Sequence, residues 1–237
     1  MCGRFALSIV AAEMPELLGV EAPEGYRPRW NVTPDSPVLV IRAGPRGPEA
    51  VMLRWGFLGP WMNEVQDPGR QINARIETAA GKPMFKAAFL KGRCLLPADG
   101  FYEWQKQPKR PSRPFFVRPP DGRPIAFAGL WRRNRLADGA LLDTVAILTR
   151  DADPEIAAIH HRMPVVVPKA LWARWMAPDP VDPELLAALS APAGLEAVEV
   201  SRAVNDPRND GPELVRPVRE VPALRAAATT PVQPRLL

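Results

Sequence analysis

The first residues able to do chemistry stand at the start of the chain. Met1-Cys2-Gly3-Arg4-Phe5 puts a thiol where removal of the initiator methionine exposes it as an N-terminal cysteine, a 1,2-aminothiol. Such an amine attacks an aldehyde to give a Schiff base, and the neighbouring thiol closes on the imine carbon as a five-membered thiazolidine. An α-amino group of pKa about 7.7–8.0 is roughly 10–17% neutral at pH 7, against about 0.04% for a lysine at 10.4, so it is several hundredfold better supplied with nucleophile. The same pentapeptide also fits a small, buried, inert cysteine.

Three further segments carry groups suited to moving protons or holding anions. In Gln71-Ile-Asn-Ala-Arg-Ile-Glu-Thr78, Ile72, Ala74 and Ile76 alternate with Asn73, Arg75 and Glu77. That is the pattern of a half-buried strand, which aims the amide, the cation and the carboxylate to one side at steps of about 7 Å. A plain solvent face has the same pattern, but Asn is a poor strand former and its interior place points to a task. In Leu96-Pro-Ala-Asp-Gly-Phe-Tyr-Glu-Trp104, Asp99-Gly100 reads as a turn and Phe101 as the start of a strand. Glu103 lies between Tyr102 and Trp104, where partial desolvation raises a carboxyl pKa and suits it to general acid–base work; a surface pair with Arg is the alternative. In 151–164, Asp153 caps a helix that begins at Pro154. On that helix His160 lies about 40° from Ile156 and His161 about 140°, so His160 faces inward and His161 does not. An inward His is either a satisfied core residue or a proton carrier. Finally, Trp55-Gly-Phe-Leu-Gly-Pro-Trp61 holds three rings in a flexible turn. Trp55 reads as core, and Trp61, beside Pro60, as a surface on which a base could stack.

Holding these groups together requires a sheet-rich frame. Apolar and β-branched runs at 38–41, 50–55, 93–97, 115–118, 125–130, 144–149 and 165–167 are bounded by Pro, Gly or Asp and read as strands. Helical signals fall at 13–18, 83–90, 153–161, 169–176 and 183–190. Strands and helices do not alternate strictly, which excludes a doubly wound parallel sheet. The expected fold is α+β: a single domain with a curved, barrel-like, mostly antiparallel β core and peripheral helices. That domain is expected over 1–220, with 221–237 a flexible C-terminal tail. The segment 106–114 sets four cations among prolines and reads as an extended, solvated loop that touches nucleic acid or merely aids solubility.

Composition narrows the class. The 237 residues are 46% hydrophobic and 24% charged, the usage of a soluble globular protein, which rules out collagen, disorder and membrane spans. The net charge of +5 permits a polyanionic partner. Only six of the 31 cations are Lys; the arginine excess fits phosphate and carboxylate recognition, and equally a codon bias. Cys2 and Cys94 cannot form a disulfide framework and no signal peptide is visible, so a reducing cytoplasmic compartment is expected. Asn31-Val-Thr33 therefore carries no glycan. With His160 and His161 as the sole imidazoles, and neither Cys-x-x-Cys nor His-Glu-x-x-His, no metal and no cofactor are expected.

Taken together, Cys2-Gly-Arg-Phe5, Trp30-Asn-Val-Thr-Pro34, Asn73-Ala-Arg-Ile-Glu-Thr78, Ala98-Asp-Gly-Phe-Tyr-Glu-Trp104, Ile159-His-His-Arg-Met-Pro164 and Val200-Ser-Arg-Ala-Val204 strongly resemble, in order, the SRAP family of abasic-site processing proteins. The resemblance runs from Cys2 to about Pro217. It implies a single β-rich domain that senses abasic sites in single-stranded DNA and crosslinks covalently to the ring-opened aldehyde through Cys2, with lyase-like scission and self-removal of Met1. It further implies that Asn73 positions the amine, that Glu103 and His160 shuttle protons, and that Arg4, Arg75 and Arg162 hold phosphates. Thr149 would lie near the damaged sugar, and Trp61 with the Asn31 to Pro34 loop would splay the bases. The implied setting is a monomer acting in the SOS DNA-damage response, cytoplasmic and nucleoid-associated when bound to DNA, without a membrane partner. Binding should then weaken with salt at a slope of about −0.7 per phosphate contacted. Two departures stand out: His161 occupies a position often Asp in the family, and Met62 follows Trp61 where relatives can place a second Trp. A thiol peptidase and a non-covalent reader of single-stranded or modified DNA are the competing classes.

Overall fold

The computed structural model describes residues 2–66 and 69–218. Its strands, in chain order, are β1 (Phe5–Leu7), β2 (Arg29–Val32), β3 (Pro37–Gly44), β4 (Gly47–Trp55), β5 (Asn73–Arg75), β6 (Arg93–Ala98), β7 (Gly100–Gln107), β8 (Arg110–Arg118), β9 (Ile125–Arg135), β10 (Leu141–Asp151), β11 (Arg162–Pro164) and β12 (Glu196–Glu199). The helices are α1 (Met14–Leu18), α2 (Ile76–Ala79), α3 (Pro83–Lys91), α4 (Pro154–Ala157), α5 (Trp172–Met176) and α6 (Pro183–Ser190).

A closed barrel forms because β10 has two partners. It pairs in parallel with β4 through Thr144↔Arg54 and Val145↔Trp55, and antiparallel with β9 from Leu141↔Arg135 to Ile147↔Gly129. The path β10-β4-β3-β6-β9 thus returns to β10, leaving no open edge in that ring. Beyond the ring, β5 adds in parallel to the far end of β10, and β11 pairs antiparallel with it. A second, antiparallel sheet runs β12-β8-β7-β1-β2. Aromatic edges weld the two sheets: Phe5 of β1 meets Trp55 at 5.3 Å and Phe127 at 6.0 Å, and Phe101 of β7 meets Phe127 at 6.0 Å. The helices lie outside this core. The α+β class and barrel-like core are as the sequence predicts.

Four local expectations are corrected. The eight-residue strand read at 71–78 is a strand only over β5; Glu77 belongs to α2 and leaves the face of Asn73. The helix read at 153–161 is the single turn of α4, because pairing Asp151↔Arg162 across β10 and β11 closes the chain on itself and leaves too few residues for more. The strand read at 165–167 sits earlier, as β11. The loop read at 106–114 is a hairpin in which β7 and β8 leave only Pro108 and Lys109 between them, Lys109 taking φ 57°. The tail read at 221–237 lies outside the described residues. Among the described residues no helix is long and apolar enough to cross a membrane.

Candidate active site

The register of β1 on β7 brings the chain start to Glu103. Phe5 pairs with Phe101 and the Tyr102 N–H donates to the Arg4 carbonyl at 2.9 Å, so continuing backward along β1 carries residues 2 and 3 past Glu103. From the barrel side comes Asn73. The Trp55 indole N–H donates to the Ile72 carbonyl at 2.9 Å and β5 is zipped to β10, which fixes the Asn73 backbone. Its Nδ2 donates to the Cys2 carbonyl at 2.8 Å. Asn73 Oδ1 is buried and has no hydrogen-bond partner among the described residues. The Cys2 side chain is fully buried, with Sγ 3.7 Å from the Arg4 carbonyl. His160 completes the cluster, its Nδ1 lying 3.9 Å from Glu103 Oε1.

Burial sets the electrostatics here. It pushes the Cys2 thiol well above its ordinary value, the Glu103 charge adding to the effect, so the sulfur stays protonated near neutrality. Burial also raises the Glu103 carboxyl, which is 4% exposed, keeping its acid form available. It lowers His160 below 6.5, so the imidazole is neutral at pH 7. His160 Nδ1 lies 3.0 Å from both the N–H and the carbonyl of Arg162. The neutral Nε2–H tautomer accepts from that N–H, and a ring protonated at Nδ1 donates to that carbonyl; either proton state has a partner. A thiol, a carboxyl shifted toward its acid form and an imidazole shifted toward its neutral form therefore meet at the seam between the two sheets, with an amide anchoring the residue that carries the thiol.

The SOS response associated peptidase (SRAP) family matches residues 1–207. The chain belongs to the SRAP family. It is 34% identical over 221 residues to abasic site processing protein YoqW of Bacillus subtilis, spanning 91% of this chain and 99% of that protein. It is 34% identical over 232 residues to abasic site processing protein YedK of Escherichia coli, spanning 92% and 100%. A solved structure from Bacteroides thetaiotaomicron shares the fold at TM-score 0.79 and 20% identity, covering 92% of this chain and 100% of its own.

The remaining expected site residues of this SRAP chain divide into two groups. Trp61 is 62% exposed and Arg75 is exposed, neither side chain making a hydrogen bond or ion pair to another described residue. Trp55 is core, as read. Pro34 is half-buried, followed by Asp35 at φ 69°, whose carboxylate Arg54 and Arg70 grip. By contrast, Asn31 is fully buried in β2, its Nδ2 donating to the carbonyls of Val204, Asp206 and Asn209 and its Oδ1 accepting from Arg4 Nη1. It fastens the chain rather than reaching into a loop. Arg4 spends Nη1 on Asn31 and on the Val204 carbonyl, over the Trp104 ring. Thr149 is buried, its hydroxyl donating to the Ala74 carbonyl. Arg162, read as a phosphate holder, is buried, its two Nη groups held by Glu77, Asp151 and the Thr149 carbonyl and its Nε without a hydrogen-bond partner among the described residues.

Sequence reasoning missed Asp151 as a partner of Arg162, and missed 203–210 as the latch on Arg4, Asn31 and Arg29, the last through Asp210 at 3.0 Å. Nothing local marks these pairings, which join residues far apart in sequence. His161 is exposed and stacks on His160 at 4.5 Å. Among the described residues no three His, Cys, Asp or Glu side chains gather as a metal site. An apolar cleft of about 90 Å³ beside Tyr26, Val38 and Met52 includes none of the clustered groups.

Proposed function

We propose that this SRAP chain processes abasic sites in single-stranded DNA and, once Met1 has been removed, links to the lesion covalently through Cys2. One observation carries the reading: Asn73 Nδ2 holds the Cys2 carbonyl at 2.8 Å, two bonds from the amine that would react, while Asn73 Oδ1 stays available to accept from that amine. The names of the B. subtilis and E. coli relatives support the abasic-site part of it.

The chemistry follows from the protonation states. Ring opening removes the proton of the sugar C1 hydroxyl as the bond from C1 to the ring oxygen breaks and that oxygen takes a proton; His160, shifted toward its neutral form, and Glu103, shifted toward its acid form, suit the two transfers. The neutral Cys2 amine adds to the aldehyde carbon, and the carbinolamine loses its hydroxyl as water with a proton from Glu103, which takes back the N–H proton and leaves the imine. The thiol then adds across the C=N bond, sulfur to carbon and proton to nitrogen. The net loss is one water. Lyase-like scission would branch from the imine, before sulfur closes the ring. A thiol held protonated by burial favours this addition over the thiolate attack a general peptidase needs. Arg75 and Trp61 supply a phosphate contact and a stacking surface for the strand.

The test is to incubate the methionine-free protein with single strands freed of uracil by a glycosylase. A heat-stable, gel-shifted adduct is expected from the wild type and none from Cys2→Ala. Equal and negligible yields from both would refute crosslinking, and unchanged DNA affinity with no adduct under any condition would leave a non-covalent reader.

A further inference from the structure

The segment 73–77 touches the candidate site at both ends. Asn73 reaches the Cys2 carbonyl, and four residues on, at the start of α2, Glu77 grips Arg162 end-on: Nη1 to Oε1 at 2.8 Å and Nη2 to Oε2 at 2.9 Å. The Arg162 side chain is 7% exposed and its guanidinium also meets Asp151 Oδ1 and the Thr149 carbonyl, each at 2.6 Å. Such a bidentate, charge-assisted grip fixes a guanidinium in both position and plane. What it fixes matters because the Arg162 N–H donates to His160 Nδ1 at 3.0 Å. α4 ends at Ala157, and the His160 backbone is tied back to it by its N–H on the Ile156 carbonyl at 3.1 Å. The ring, stacked on His161, takes a hydrogen-bonded anchor at Nδ1 from the backbone of residue 162.

We propose that Glu77 is a positioning residue: by clamping Arg162 it sets the orientation of His160, so one short segment aligns both the nucleophile and the proton carrier. This rests on the crosslinking reading for its chemical consequence, though not for its geometry. It also gives Arg162 a scaffolding part, because two carboxylates and a carbonyl hold its two Nη groups.

Two variants and three readouts test it. With Glu77→Ala, Arg162 keeps Asp151 and the Thr149 carbonyl, so the fold should survive; Glu77→Gln preserves shape and one acceptor oxygen. The rate of covalent capture at saturating abasic strand should fall about tenfold in Glu77→Ala and less in Glu77→Gln, as small misplacements of a reacting group do. Affinity for an intact single strand should not fall, since a negative charge has been removed. The ¹⁵N signals of the His160 ring should shift or broaden. Unchanged capture with unchanged ring signals would overturn the proposal. So would DNA affinity falling in step with capture, which would return Arg162 and its partner to phosphate binding. If the wild type forms no adduct, the crosslinking reading falls while the ring signals still decide the role of Glu77.

Discussion

Cys2 and Cys94 are both fully buried, and burial pushes both thiols well above their ordinary range. Their surroundings differ. Cys94 sits in the barrel wall opposite Gly129 in the β6–β9 ladder, its carbonyl taken by the Trp175 indole N–H at 2.8 Å, and Arg42 the charge that acts on it. Cys2 lies at the seam between sheets, with an amide on its carbonyl and an acid and an imidazole close by. Depth and a high thiol pKa are therefore common to both, and neither makes a nucleophile. What separates them is the company of groups that can pass a proton, together with a place in the chain where an amine can be exposed.

The largest effect that can break this contrast is the loss of each sulfur. Cys2→Ala should abolish the adduct, and Cys94→Ala should leave its yield at the wild-type level; a Cys94-dependent adduct would void the contrast. Next, Glu103→Gln should slow capture about a hundredfold in a gel time course, the usual share of a general acid–base group. Its stability effect has a definite sign. The Glu103 carboxyl is raised by burial, so its stabilising contribution is complete below the unfolded value and is lost as pH rises through the folded one. Glu103→Gln should accordingly melt higher than wild type at alkaline pH and gain nothing near pH ~4. Melting lower at alkaline pH would make Glu103 a structural ion-pair member.

On the other side of the contrast, Gly129→Ala would bring a Cβ to 2.3 Å from Leu96 Cδ1 and 2.9 Å from Cys94 Sγ. That overpacking should cost about 1–3 kcal/mol in denaturant unfolding, with capture per folded molecule unchanged. The smallest effect belongs to Trp61→Ala. With its ring 62% exposed, it should leave the melting temperature in place and weaken single-strand binding by about 1 kcal/mol, read by anisotropy. A drop in melting temperature would make Trp61 a packing residue.

Much of the frame is legible in the sequence because its signals are local. The run around Val38 to Ile41 and the Pro183 start of α6, with Asp182 capping Leu185, announce themselves through neighbours a few residues away. Glu103 is legible for the same reason, as a carboxylate among rings. The misreadings around Ile72 to Glu77 and at Asn31 share one cause, partners distant in sequence. The alternation from Ile72 to Glu77 fits a longer strand, and it is Arg162, from the other side of β10, that finds Glu77 on a helix instead. Asn31 looks like a loop residue before Pro34 until residues 204–209 are seen to take up its amide. Arg162 reads as an unpaired cation until Glu77 and Asp151 are found on it. A cation in a sequence does not reveal which anion it has already met.

The most direct measurement is intact mass spectrometry of the purified chain before and after reaction with an abasic single strand, followed by mapping of the modified peptide. The unreacted chain should lack Met1, and the product should equal the sum of protein and strand less one water, with the added mass on Cys2. An equally fast adduct on a chain that still carries Met1, or one mapped to a lysine, would contradict the aminothiol mechanism.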